Sequence, residues 1–332
     1  MRKVKQLDIA KALNISRVTV TKALMDAPDI GIATRKLVKA KAEELGYFPN
    51  YTGRNLSSKR TYTIGLVVPK IAHSFFSISI ESFYEAAIAK GYYIIPTISF
   101  ENIKIEEENI KVLLSMGVDG IIIDPAGNID ISEIYDKILN AGVKLIFYDR
   151  FPIGFNHASV VCNNKEAAKN AVSYIIAKGI KSIVHFTGSQ KLNICKHRLE
   201  GYKSALESAG IKYNSKMVVS TGLTEKDGYD CFIEYFIKHG CPRAVFAVND
   251  SIAIGIYKAA TTLKLRIPTD ISIVGFGDIE LAQMVSPQLT TVHIPIKEMC
   301  FEAINRLVSS IENVGTIKND VFIADLVIRD SV

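Results

Sequence analysis

The chain is poor in cysteine, and none of it is paired in sequence. Five cysteines in 332 residues, Cys162, Cys195, Cys231, Cys241 and Cys300, are odd in number, scattered and without a Cys-x-x-Cys spacing. That argues against a disulfide framework or a zinc site and for small buried thiols in a reducing compartment. No window approaches roughly 18 consecutive apolar residues. The N-terminal stretch has no apolar run behind a basic start, so neither a membrane span nor a secretory leader is expected, and the expected location is the cytoplasm. Signatures of common catalytic machinery are missing as well: there is no Walker-A loop, no Gly-x-Ser-x-Gly elbow and no His-Glu-x-x-His helix. Gly275-Phe276-Gly277 follows a strand-like run, but the third glycine of a dinucleotide fingerprint is absent. The six histidines, His73, His157, His185, His197, His239 and His293, show no metal-ligand spacing. No catalytic residue, metal or cofactor is therefore expected.

What is present is enough for two or three domains with proper cores, at 48% hydrophobic and 22% charged residues. The net charge of +6 is unevenly placed: residues 1–60 carry 13 Lys/Arg against 5 Asp/Glu, and the rest of the chain is slightly acidic. An excess of cations confined to the first sixth points to an anionic polymer as its partner, because neutralising phosphates releases counterions and supplies most sequence-independent affinity.

That cationic segment contains QLDIAKALNISRVTVTKALM, Gln6 to Met25. Ile9, Ala10 and Leu13 form one apolar face and Val20 and Leu24 another at helical spacing, with Asn14-Ile15-Ser16 between them and Ser16 placed to cap the second helix. The spacing predicts a helix-turn-helix. Its second helix leaves Arg17, Val18, Thr19, Thr21 and Lys22 exposed, short or cationic side chains suited to the acceptors and thymine methyls of the major groove. Two helices of an ordinary bundle with a solvated basic face would look similar, since the spacing is loose. A third helix is expected from about Thr34 to Leu45, stopped by Gly46. Residues 51–60 are polar with one large apolar residue, Leu56. They suit a flexible linker, or a helix that forms only on a partner.

From Tyr62 the texture changes to buried-strand runs alternating with amphipathic helices: TIGLVVPKI, YYIIPTIS, GVDGIIID and VKLIFYD, then a second series beginning SVVCN and ending ISIVGFGD. This predicts two successive doubly wound parallel sheets, hence two lobes with a ligand cleft at the carboxyl ends of the strands. Asp124, Asp149, Asn249, Asp250 and Asp278 all sit at such ends. One polar residue there is ordinarily a cap or turn former, whereas five facing one cleft read as hydroxyl and charge recognition. Phe75 and Phe76 suit either a stacking wall for a sugar or base, or the core.

With these stretches in order, the chain resembles the LacI family of bacterial transcription regulators. The likeness is carried by DIAKALNISRVTVTKAL, TRKLVKAKAEELGYFPN, TIGLVVPKIAHSFF, GVDGIIIDP, FYDRF, HRLEGYKSAL, AVFAVNDSIAIG, ISIVGFGDIELAQMVSPQLTTVHIP and a final strand before Arg329. It implies an all-α helix-turn-helix headpiece at 1–47, a hinge at 48–60 and an effector-binding core at 61–332 of the periplasmic-binding-protein-like fold. The N-lobe is expected at about 61–160 and 292–320, and the C-lobe at about 161–291 and 321–332. A solute-binding protein would share the core but lack residues 1–60 and carry a signal peptide.

The resemblance places Arg17, Val18 and Lys22 at base-reading positions, and Ser16, Thr19 and Asn50 where members touch phosphates or support the helix. Leu56 matches the hinge leucine that, paired across two subunits, wedges into the minor groove. Many members carry Ala-Ala where this chain has Thr52-Gly53, and glycine disfavours a helix by about 1 kcal/mol. Hinge folding is therefore expected to lean more on DNA. Phe75, Phe76, Asp124, Asp149, Arg198 and Asn249 align with effector-contacting positions. Gly277 stands where relatives often carry the first Asp of a Phe-Asp-Asp motif, with Asp278 retained. An arginine paired with Asp149 fits a sugar, while an unneutralised one suits a phosphate or carboxylate. The implied partners are double-stranded operator DNA, a sugar-like small-molecule effector and a second copy of the chain, with no membrane. The expected output is repression, by a dimer rather than a tetramer because no leucine heptads follow the final strand.

Overall fold

A computed structural model describes residues 4–47, 60–126, 133–152, 154–155, 157–315 and 319–332. The expected hinge, with Asn50, Thr52, Gly53 and Leu56, lies outside the described residues save for its last position. The chain divides into two compact units, Met1–Thr61 and Tyr62–Val332.

The first unit holds three helices, α1 (Gln6–Leu13), α2 (Arg17–Leu24) and α3 (Ile32–Glu44). Asn14 ends α1 in the left-handed region at φ 52°, which asparagine tolerates, and the Ser16 hydroxyl accepts the Thr19 backbone N–H to start α2. Their apolar stripes close on one another through Ile9, Ala10, Val20, Ala23, Val38 and Ala42. Helix α3 begins two residues before its expected start and ends ahead of Gly46, whose φ of +66° takes the chain out of the helix.

The second unit alternates strand and helix: β1 (Thr63–Val68), helix Ser74–Ala89, β2 (Tyr93–Ile98), helix Ile103–Ser115, β3 (Gly120–Ile123), helix Glu133–Asn140, β4 (Lys144–Tyr148) and β5 (Ser159–Cys162). A second series follows: helix Asn164–Ala177, β6 (Ile183–Thr187), helix Asn193–Ser208, β7 (Val218–Ser220), helix Glu225–His239, β8 (Ala244–Ala247), helix Asp250–Thr262, β9 (Ser272–Gly277) and β10 (Thr290–His293). Helix Ile296–Ile311, β11 (Asp320–Phe322) and β12 (Asp325–Val327) complete it. The strands form two six-stranded sheets, ordered β11-β5-β4-β3-β1-β2 and β12-β10-β9-β8-β6-β7. Among the described residues every strand pairing is parallel except β10 with β12. Central strands such as β3, β6 and β8 are buried along their whole length, as sheets covered on both faces require.

The chain crosses between lobes three times. β5 stays with the first sheet to Cys162, β10 with the second to His293, and β11 with the first to Phe322. A strand leaves its sheet only after its last ladder hydrogen bond, so each crossing follows the end of one of these strands. The crossings are tied together: the Asn163 N–H donates to the Phe322 carbonyl at 2.9 Å, and its side-chain oxygen accepts from Ala324 N–H at 2.8 Å.

Candidate DNA-reading helix and effector cleft

Helix α2 presents Arg17, Val18 and Lys22 outward, with Val18 64% exposed, a large value for a valine on a folded helix. Thr19 is half-buried and its hydroxyl bonds that of Ser16 at 2.9 Å, so these two serve the helix start. The Thr21 hydroxyl donates to Gln6 Oε1 at 2.9 Å and ties α2 to α1. The Lys22 ammonium is paired with Asp29, in the turn between α2 and α3.

In the second unit a cavity of about 50 Å³ lies between the lobes, at the carboxyl ends of β1, β4, β8 and β9. Five of the expected residues line it: Phe75, Phe76, Asp149, Arg198 and Asn249. Arg198 is almost fully buried and fixed from three sides. Its Nε donates to Asn164 Oδ1 at 2.8 Å, one terminal nitrogen donates to the Val248 carbonyl at 2.6 Å, and its guanidinium lies 3.7 Å from the Phe276 ring centroid. Asp149 follows β4 in the left-handed region, at φ 58°, with Oδ1 buried and lacking a hydrogen-bond partner. Burial raises its carboxyl above the usual range, against the pull of Arg198 and Arg150. Asn249 lines the cavity with its amide already engaged. Its oxygen caps helix Asp250–Thr262 through Ile252 N–H at 2.8 Å, and its nitrogen donates to the Leu223 carbonyl at 3.1 Å. Phe75 and Phe76 meet edge to face at 5.3 Å and serve as cavity wall and core at once.

Two expected residues are placed elsewhere. Asp124 is fully buried behind Arg150, with Oδ1 3.4 Å from Nε, and does not line the cavity. Its position at the end of β3 aims it into the lobe. Asp278 also turns away, because the chain at φ 53° delivers its carboxylate to Arg329 at 2.6 Å and His293 at 3.1 Å.

Of the other lining residues, Asp250 was marked only as a strand end, and Arg150 and Glu101 went unmarked by the sequence. Arg150 is buried, with its terminal nitrogens on the Glu101 carboxylate at 2.9 to 3.2 Å. Glu101 sits after β2 at φ 58°, beside Phe100 at φ 52°, a pair of strained residues that carries it to the cleft. Direct succession to Asp149 in FYDRF was the available signal for Arg150. Asp250, a strand-end residue that the resemblance does not mark, enters the site through Gly275-Phe276-Gly277. A Cβ at Gly275 would lie 2.1 Å from Asp250 Oδ1, and one at Gly277 3.4 Å from Oδ2. Gly275 makes room for this carboxylate and Gly277 borders it at ordinary contact distance; the carboxylate accepts from Thr291 Oγ1 at 2.5 Å and Ile279 N–H at 2.9 Å. Burial raises its pKa to about 6. Asp250 thus supplies an acid beside Gly277, the position where the resemblance implies one. At the mouth, His73 Nε2 lies 3.0 Å from Ser251 Oγ and joins the two lobes, with burial and the nearby Lys70 and Arg150 holding the imidazole neutral at a pKa of about 4.

Among the described residues no cluster of His, Cys, Asp and Glu could hold a metal ion, and no helix is long and apolar enough to cross a membrane. A helix-turn-helix unit with an outward cationic helix, followed by a two-lobed sheet unit with a polar cleft, defines a ligand-sensing class of DNA-binding regulator. Residues 7–50 match the model for bacterial regulatory proteins of the lacI family, and residues 172–332 that for a periplasmic binding protein-like domain. The chain is 32% identical to the HTH-type transcriptional regulator AscG of Escherichia coli (strain K12), over 98% of this chain and 97% of that protein. Its fold matches the Lac repressor dimer bound to operator and the anti-inducer ONPF, at a TM-score of 0.89, 22% identity and 99% coverage of both chains. The transcriptional regulator CelR in complex with cellobiose matches at a TM-score of 0.76 and 25% identity, over 99% of this chain and 100% of that one. The chain belongs to the lacI family of bacterial regulatory proteins, and its function is sequence-specific binding of DNA to regulate transcription. Such relatives are regulators rather than enzymes.

Proposed function

We propose that the protein is a cytoplasmic, homodimeric repressor whose affinity for a pseudo-palindromic operator is set by a sugar or sugar derivative bound between the lobes. The observation that carries the effector class is the pairing in the cleft. Arg198 faces a cavity that also holds the unsatisfied oxygen of Asp149, so cation and anion compensate each other and present donors and acceptors to hydroxyl groups. Phe75, Phe76 and Phe276 offer apolar faces for C–H groups. The likeness to CelR, whose complex holds cellobiose, supports the same class.

The cavity is well below the roughly 300–1,000 Å³ of small-molecule sites. A ligand must therefore part the lobes, acting on the bridges His73–Ser251 and Phe151 N–H to Asn193 Oδ1 at 3.3 Å. Because coupling is reciprocal, a ligand that favours one lobe arrangement shifts operator affinity by the factor with which operator shifts ligand affinity. Arg17, Val18 and Lys22 read bases, Ser16, Thr19 and Asn50 support the helix or touch phosphate, and Leu56 wedges the minor groove. Dimerisation is supported by the edge strand β2, where Tyr93 is 61% exposed, and the neighbouring helix Ser74–Ala89, where Ile88 is 62% exposed. A second copy would cover this face, and two headpieces then match two half-sites.

The test is fluorescence anisotropy on genomic fragments, with the selected site titrated in the presence of a sugar panel. One sugar should raise the melting temperature and change operator affinity together. Binding that is equal for all sequences, or operator affinity and melting temperature that no sugar moves, would overturn the reading.

A further inference from the structure

We infer that Asp29 is a specificity-determining residue: with Lys22 it forms a joined donor and acceptor that reads one G·C pair, Lys22 on the guanine and Asp29 on the N4 amine of the cytosine. This rests on the reading of Lys22 as a base-contacting residue given above. Lys22 stands one helical turn beyond Val18, so the two share the outward face of α2. The Lys22 ammonium is bonded to a carboxylate oxygen of Asp29, and the two side chains stay 48% and 53% exposed. The pair is therefore open to a duplex, and it puts an acid on the cationic reading face.

The turn that carries Asp29 is built rather than loose. Ala27 N–H donates to the Lys22 carbonyl at 3.0 Å and Ile30 N–H to the Ala27 carbonyl at 3.1 Å, while Ile30 packs on the headpiece core. Both carboxylate oxygens of Asp26 accept from Lys39, at 2.7 and 2.6 Å, which ties the turn to α3. A fixed backbone thus delivers Asp29 to Lys22. Against phosphates alone this acid lowers affinity, by repulsion and by occupying a cation. Against a base pair it has a partner. In the major groove of a G·C pair the guanine N7 and O6 acceptors lie beside the cytosine N4 donor. An ammonium has three donors, so Lys22 can keep Asp29 and still donate to guanine, and the carboxylate retains acceptor capacity for N4. Lys22 also holds the Asp29 carboxyl below its usual range, which keeps it an acceptor at neutral pH. In an A·T pair the donor lies between two acceptors instead, and the carboxylate is set against one of them. Lys22 alone would take any of these acceptors. Asp29 adds the demand for a donor beside them.

The experiment selects duplexes from a random library with the purified full chain, then measures affinity by anisotropy for the selected site and each of its single base-pair substitutions. Lys22→Ala and Asp29→Ala should each flatten the preference at the same G·C position by about fivefold or more, with the double variant losing less than the two losses combined. Placing N4-methylcytosine at that position should weaken the unaltered protein by about fivefold and leave Asp29→Ala unmoved. Asp29→Ala should also bind non-specific duplex more tightly, with a salt slope steeper by about 1. If Lys22→Ala flattens one position while Asp29→Ala flattens none and tightens binding to every duplex, Asp29 is a repulsive charge only. The inference then falls and the DNA reading stands. If Lys22→Ala flattens no position, the assignment of Lys22 to bases falls, and this inference with it.

Discussion

The resemblance leads one to expect an aspartate where this chain has Gly277, and the structure turns that difference into a quantitative prediction for Gly277→Asp. Its φ of +139° is one that L side chains rarely adopt, and a Cβ there meets Asp250 Oδ2 at 3.4 Å, ordinary contact rather than a clash. Gly277→Ala therefore reports the backbone alone and should cost about 1–3 kcal/mol. Gly277→Asp adds a second carboxylate beside Asp250. Two unit charges about 4 Å apart repel by about 4 kcal/mol at an effective dielectric of about 20. That second part depends on pH. Asp250 has a folded pKa of about 6 against an ordinary 3.8, so its ionisation already costs stability as pH rises through that window. A neighbouring charge pushes the window higher still. At pH 8 the Asp variant should be several kcal/mol less stable than the Ala variant, about what the repulsion supplies. Near pH 5, where one of the two acids is protonated, the two variants should converge. Urea unfolding followed by circular dichroism measures this directly, the chain having no tryptophan to report by fluorescence. If Gly277→Ala costs nothing, the backbone strain assigned to this position is wrong, and if the gap between the two variants is the same at both pH values, the idea that the Asp250 carboxylate lies beside it is wrong.

Two further outcomes follow from the same reasoning. Replacing Arg17 by Ala should flatten the base preference at one operator position by about 1–3 kcal/mol, roughly 5- to 150-fold, with a smaller loss on non-specific duplex. Anisotropy on singly substituted operators checks it, and a uniform loss across all positions would assign Arg17 to phosphate instead. His185 is buried between Tyr202 and Phe246, its Nδ1–H on the Phe246 carbonyl at 2.9 Å, and burial lowers its pKa from 6.5 to about 4. A depressed histidine stabilises fully above pH 6.5 and loses that contribution as pH falls, by about 2 kcal/mol between pH 6.5 and 5. His185→Phe should remove that part of the acid sensitivity, and parallel stability losses in both proteins over this range would contradict it.

The acid of Asp250 also revises how the cleft is read chemically. On the sequence alone, Gly277 leaves the cleft without the carboxylate that the resemblance implies there. In the folded chain the missing side chain at Gly275 is what admits Asp250, and Phe276 of the same triplet stacks on Arg198. The triplet that resembled a broken nucleotide fingerprint is a seat for two cleft residues.

Much of the protein was legible from residue order because its signals are local and periodic. The helix-turn-helix follows from two apolar stripes and the Ser16 cap, each decided within a few residues. The two parallel sheets follow from continuous apolar strands alternating with amphipathic helices, since strands buried on both faces cannot carry polar alternation. The cationic front segment follows from counting. Which strand-end side chains reach the cleft did not follow. Asp124, Asp149 and Asp278 are alike in sequence, each an aspartate closing a strand, yet one lies behind Arg150, one faces the cavity and one bonds Arg329. Their direction is set by the backbone dihedrals at each strand end and by partners far along the chain, 26 residues for Asp124 and Arg150 and 51 for Asp278 and Arg329. Neither is encoded in the neighbouring residues, so only the closed tertiary structure decides them.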